Sequence, residues 1–436
     1  MAAEPERRRA LVSVLAVVFV DLAGFGIVIP VLPFYTRFFG GDELVIGLLA
    51  ASYSLLQFLG APVLGALSDR HGRRPVILAS VAGSAVAWTV FGFATSLAWL
   101  FASRLLAGAM GGNVAAAQAY VADITPEADR TKALGLVGAA LGLGFIVGPS
   151  LGAVLSFDPV VAAVGGVAPA WLPVTRFSLP AFGAAALAAA NLALTYRYLP
   201  ESRRVASAVP ASSVSPVASL RDALLAPSLR GLLVAFFALS FAFSGVQIMF
   251  IPFVADVYDY GTTRSALLLA YIGVLSVLVQ GVFVGRLTDR VGEPRATVAG
   301  VAVLLAAIGA LPAAPELGRA LLPFATAGWL DPELAALLVV LAALATGNGV
   351  VNVSLVALVS RRASAEVQGS AFGVTQSAGS LARTVGPVVM GAAYAAVGYW
   401  APFALGAVVL VPVVGIAVGL ARTDAAARLT DPGHVR

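Results

Sequence analysis

From Ala10 to Ala421 the chain alternates long apolar runs with short polar breaks, and most of the runs are long enough to cross a bilayer. About 20 apolar residues span the hydrocarbon as a helix, and in lipid only a helix or a closed barrel satisfies its own backbone. The runs are uninterrupted rather than alternating, which favours helices over barrel strands. The pattern predicts about twelve spans, near 10–35, 43–68, 75–97, 98–122, 131–156, 177–199, 229–256, 264–288, 295–313, 332–359, 367–396 and 399–421. Flanks of the sixth and ninth spans, SFDPVVAAVGGVAPAWLPVTRF and LPAAPELGRALLPFATAGW, are rich in Pro and Gly and have room for extra amphipathic pieces.

Composition agrees. The chain is 60% hydrophobic and 11% charged, with a mean hydropathy of +0.94, too little charge to cover the water-exposed face of a soluble protein of this length. The expected fold class is therefore an all-α membrane protein of twelve transmembrane helices in two six-helix bundles. The longest polar interval, Pro200 to Arg230, divides the chain almost equally. It implies an N-terminal bundle over 1–199, a linker over 200–230 and a C-terminal bundle over 231–436. Each half has a charged turn between its second and third helices, GALSDRHGRRP (Gly65–Pro75) and GRLTDRVGEPR (Gly285–Arg295). Each also has a Gly-Pro in its fifth helix, at Gly148-Pro149 and Gly386-Pro387. Twin halves are what a parallel repeat predicts, with a central cavity near the bilayer middle and alternating access.

Charge sets the orientation. With the N-terminus inside, the outer loops carry only Arg37, Arg176, Arg264 and Arg319, whereas the inner loops hold the Gly65–Pro75 cluster, Lys132 and most other arginines. Both termini are then cytoplasmic, and the sequence pI near 9.7 reflects topology rather than a groove for nucleic acid. The basic start of the first helix mimics a secretory signal, but the segment is long, carries Asp21 and lacks a clear cleavage site, so it is expected to stay as an anchor. There are no cysteines, which removes disulfides and thiolate chemistry, and the lone lysine stands in ADRTKAL, which excludes a Walker motor. Both histidines, His71 and His434, fall on the inner face in this topology. No nucleophile and base set, metal cluster or cofactor fingerprint is visible, so an enzyme is disfavoured.

GALSDRHGRRP resembles the loop signature of the major facilitator superfamily. Three further stretches are similar to the drug–proton antiporter branch with twelve helices, and to tetracycline-type efflux proteins in particular. They are DLAGFGIVIPVLP (Asp21–Pro33), SRLLAGAMGGN (Ser103–Asn113) with its intramembrane arginine, and GAALGLGFIVGPSLG (Gly138–Gly152), which looks like the fifth-helix antiporter motif. The resemblance implies a monomeric secondary transporter of the plasma (inner) membrane, acting on a small molecule and protons, with no cofactor. The antiporter motif, Gly138, Gly142, Gly148, Pro149 and Gly152, is implied to seal the outer half. Ordinary packing is the alternative, since small residues let membrane helices approach and proline permits a bend.

The residues also carry their own physics. In the first charged turn Gly65 permits close helix approach, Asp69 can pair with Arg73, and Asp123 at the inner end of the fourth helix offers a second acid. With Arg70, Gly72 and Arg74 they form an expected cytoplasmic latch; the alternative is that the arginines only mark topology. In the second turn Glu293 and Pro294 stand where the pattern expects arginines, so that latch is weaker. By the predicted spans only Asp21, Arg104 and Arg383 lie deep, where a charge costs at least about 2.5–3.5 kcal/mol. Asp21, balanced between desolvation and a nearby Arg104, is the candidate proton carrier. The alternative is a permanent Asp21–Arg104 structural pair. Gln57, Asn113, Gln247, Asn348, Asn352, Gln376 and Arg383 are candidate cavity lining, or else interhelical bonds and, for Arg383, a helix-break partner. The expected function is proton-coupled export of small amphiphilic drugs. Uptake or lipid flipping by the same fold, and a non-transporting sensor or scaffold, are the rivals.

Overall fold

The computed structural model describes residues 4–111, 113–126, 129–202, 227–322, 331–362 and 368–430, and regular structure among them is helical throughout. The first predicted span divides into α1 (Glu4–Val28) and α2 (Leu32–Phe38), because Pro30 lacks an amide hydrogen and bends the chain. Asp42 then starts α3 (Glu43–His71) by accepting the Val45 amide at 3.0 Å. The N-terminal half continues with α4 (Arg73–Gly92), α5 (Leu97–Met110), α6 (Asn113–Ile124), α7 (Arg130–Leu155), α8 (Asp158–Val167) and α9 (Ser178–Tyr198). After the linker come α10 (Pro227–Tyr258) and α11 (Thr262–Leu278), which runs through a π turn (Val279–Phe283) into α12 (Val284–Val291). The chain closes with α13 (Glu293–Ala310), α14 (Ala314–Leu321), α15 (Pro332–Arg362), α16 (Gln368–Val397) and α17 (Ala401–Thr430).

Eleven helical runs among the described residues are long and apolar enough to cross a membrane. The remaining predicted span, 98–122, is made of two shorter helices, α5 and α6, divided where GAMGG places poor helix formers. The Pro- and Gly-rich flanks do contain extra pieces, α8 and α14.

Contacts gather the chain into two compact units, Met1–Ser213 with Val254–Tyr271, and Val214–Phe253 with Ile272–Arg436. Most of the expected linker, 203–226, lies outside the described residues. In the first unit one buried cluster centres on Ile27, Trp88, Phe91 and Leu100, and another on Val17, Ile77, Tyr120 and Leu199. Helix α7 presses its backbone onto α1 through glycines one turn apart. A Cβ at Gly144, Gly148 or Gly152 would meet the carbonyl oxygens of Phe19 (2.9 Å), Ala23 (2.6 Å) and Ile27 (2.6 Å). Of the expected motif glycines, Gly148 and Gly152 lie in this ladder and Gly138 faces open space, while Gly144 joins it. The second unit repeats the feature by itself, since a Cβ at Gly386 in α16 would lie 2.7 Å from the Phe241 carbonyl oxygen of α10. In both cases the glycine before the fifth-helix proline is what admits the first helix of its half.

Candidate functional site

Helix α5 carries Arg104 into the first unit. One turn later Gly108 has no side chain, and its backbone lies so close to the Tyr53 carbonyl of α3 that a Cβ would collide with it. That approach sets the guanidinium over three rings, at 4.5 Å from the Tyr53 centroid, 5.4 Å from Phe25 and 5.9 Å from Trp88. Arg104 is only 3% exposed. Its Nε has no hydrogen-bond partner, and among the described residues no carboxylate lies within ion-pair distance of it. Among the described residues the cation is thus held by ring quadrupoles and not by a counter-ion. Asp21 is half-buried on α1, one turn before Phe25.

Gln57 stands one turn beyond Tyr53 on α3. Its Nε2 donates to the Tyr53 hydroxyl at 3.2 Å and to the Gly111 carbonyl at 3.4 Å, which is the carbonyl left open by the break between α5 and α6. Phe145 of α7 meets Phe25 edge-on at 6.3 Å. The other lining candidates are dispersed. In the second unit Asn352 donates to both the side chain and the backbone oxygen of Asn348, each at 2.9 Å, so the two form an i,i+4 pair on α15. Gln247 is half-buried on α10. Arg383 is exposed on α16 and donates to Ser380 Oγ at 3.0 Å. The side chains of Asn113 and Gln376 lie outside the described residues.

At one end of α3 the first charged turn closes on itself. Gly72 takes φ 99° and ψ 157°, a region open in practice only to glycine, and so reverses the chain between α3 and α4. Arg73, with 8% of its side chain exposed, then bonds Asp69 at 2.7 Å, Asp123 at 3.1 Å and Ser68 Oγ at 2.6 Å. Glu201, after α9, accepts the backbone amides of Arg73 (2.9 Å) and Arg74 (3.2 Å), placing a carboxylate on the amino end of α4. Arg74 bonds the Tyr196 carbonyl at 2.7 Å and lies over its ring. Gly65 has open space beside it, and Arg70 is exposed. The sequence reading missed Glu201; the signal for it was a lone acid just where the sixth span ends, in LPES.

At the other end of α3, Arg37 of α2 holds two acids of the first unit. It grips Glu43 at 2.6 Å and forms a two-pronged fork with Asp256 in the last turn of α10, at 2.7 and 2.8 Å. Burial pushes the Arg37 pKa down, but the hydrogen bonds and charges of Asp256 and Glu43 outweigh it and raise it overall. Nothing in the local sequence foretold this tie, because its partners are 219 positions apart.

Residues 14–320 match the model of the Major Facilitator Superfamily. Over 89% of its length the chain is 34% identical to the tetracycline resistance protein, class C, of Escherichia coli, covering 90% of that protein. It is 32% identical to major facilitator superfamily domain-containing protein 10 of Bos taurus, over 80% of the chain and 72% of that protein. A crystal structure of the human organic anion transporter MFSD10 superposes with a TM-score of 0.63 at 26% identity, covering 94% of this chain and 99% of that one. With its apolar crossings, its paired Gly-Pro helices and these likenesses, the chain belongs to the major facilitator superfamily: it is a multi-pass membrane transporter and not an enzyme.

Proposed function

We propose that the protein exports small amphiphilic drugs in exchange for protons by alternating access of two six-helix halves, as a monomer with both termini on the cytoplasmic face of the plasma (inner) membrane. The observation that carries this reading is Arg104, a guanidinium in the hydrocarbon layer with no carboxylate against it among the described residues. Such a charge is costly in lipid, and a counter-charge that comes and goes is the cheapest remedy. Asp21, one turn along α1 from the ring that covers Arg104, supplies it. Ionised, the carboxylate offsets the cation and receives a cationic or metal-chelated substrate; protonated, it releases that substrate. The inward proton contributes about 2.3 kcal/mol per 100 mV of membrane potential. The likeness to tetracycline resistance proteins supports the drug as cargo.

On this reading the two ties on α3 act at opposite faces. The Arg73 cluster is the cytoplasmic latch, and opening at the Glu43 end requires Arg37 to let go of Asp256. The glycines and Pro149 of α7 keep the outer half sealed. Proteoliposomes with an imposed pH gradient test the coupling: Asp21→Asn, fixed in the uncharged form, is expected to weaken drug binding and abolish pH-driven drug flux, and undiminished flux in that variant would discard the proposal.

A second reading, movement of organic anions together with a proton, is favoured by the same buried Arg104 guanidinium and by the likeness to MFSD10. Detergent-solubilised protein separates the two. Exchange predicts that added substrate releases protons, whereas anion cotransport predicts that it takes them up.

A further inference from the structure

A groove of about 440 Å³ opens on the second unit, between the first turns of α13 and the last turns of α17. Its walls are Val298, Ala299, Val418 and Ala421, and two arginines, Arg295 and Arg422, stand at its mouth. Both guanidiniums are exposed, and among the described residues neither is in an ion pair. Two like charges facing one apolar groove repel each other unless an anion lies between them.

Depth identifies the anion. The crossing Glu293–Leu321 begins two residues before Arg295, and Arg422 on α17 stands across the same groove mouth from it. Both cations therefore sit at one edge of the hydrocarbon, the level at which lipid phosphates lie. Below them the walls turn wholly apolar. A free phosphate would meet the arginines but leave those walls wet, whereas a phospholipid satisfies both chemistries at once. We infer that this groove binds an anionic phospholipid, with its phosphate between Arg295 and Arg422 and its first acyl methylenes along Val298 and Val418. Basic pockets between helices at the membrane edge recognise such headgroups, and each arginine near the anionic surface contributes roughly a fivefold preference.

The test uses full-length protein in detergent, titrated with phosphatidylglycerol, phosphatidylcholine or inorganic phosphate, with bound lipid counted by native mass spectrometry and protection read from the melting temperature. Phosphatidylglycerol is expected to bind and protect in preference to phosphatidylcholine. The preference should fall roughly fivefold in Arg295→Gln or Arg422→Gln and roughly 25-fold in the double variant. It should persist in Arg290→Gln, whose arginine lies outside the groove. Equal binding of the two lipids by the unmodified protein overturns the site whatever the variants do. So does full protection by inorganic phosphate alone, or a double variant that keeps its preference.

Discussion

The two charged turns, Gly65–Pro75 and Gly285–Arg295, share a backbone and differ in chemistry. Gly72 and Gly292 adopt nearly the same conformation, φ 99°, ψ 157° and φ 80°, ψ 153°, and each separates a helix from the next. One turn before each, a hydroxyl bonds the carbonyl of the leading glycine, Ser68 to Gly65 at 2.8 Å and Thr288 to Gly285 at 2.9 Å. In the first turn Arg73 follows the glycine and gathers two acids; in the second, Glu293 and Pro294 take its place, and Arg295 faces the groove beside α17. The reversal of the chain therefore depends on glycine and hydroxyl. The tie of Arg73 to two acids, one of them from another helix, is an addition to that reversal.

Removing that tie should have the largest effect. Arg73→Ala leaves Ser68, Asp69 and Asp123 facing a void, at a cost of about 3 kcal/mol, the low end for a broken buried pair because Asp69 and Asp123 remain 37% and 29% exposed. The apparent melting temperature of purified protein should fall clearly, with Arg73→Lys intermediate because an ammonium cannot fork. Glycine replacement comes next. Gly72→Ala and Gly292→Ala each force alanine into a glycine-only conformation, at about 1–3 kcal/mol. Gly72→Ala should be the worse, since its Cβ would lie 2.5 Å from Glu201 Oε2; equal losses would mean that Glu201 yields freely. Glu201→Gln keeps the shape and removes the charge from the amino end of α4, at about 0.3–1 kcal/mol, reduced further by added salt. Smallest is Glu293→Arg, which recreates the sequence of the first turn with Asp289 four residues before it. A single exposed pair should shift stability by no more than about 1 kcal/mol, and a gain comparable to the Arg73 loss would show that the turn needs no second acid.

The crossings were legible because a run of apolar residues has few fates other than a membrane helix. The Asp69–Arg73 pair was legible from its spacing, and Asp123 from its place at the end of the fourth span. What escaped depends on three-dimensional approach. GAMGG reads as one small-residue stretch within a helix, yet its glycines end α5. The glycines of α7 present two possible registers, and only the packing on α1 selects 144, 148 and 152. The rings around Arg104 come from three helices, and Asp256 reaches Arg37 from the far side of the linker. Apolar periodicity carries no information about such meetings.

The interruption of the fourth crossing has a mechanical corollary. Its open carbonyl at Gly111 is answered by a neighbour's amide across a single 3.4 Å contact. Swivelling α6 against α5 then strains that 3.4 Å contact, where an unbroken rod would have to rupture several of its own bonds. The joint also lies two turns from the caged guanidinium of Arg104, so torque applied to the short segment leading to Asp123 can be absorbed before it disturbs the aromatic seat above.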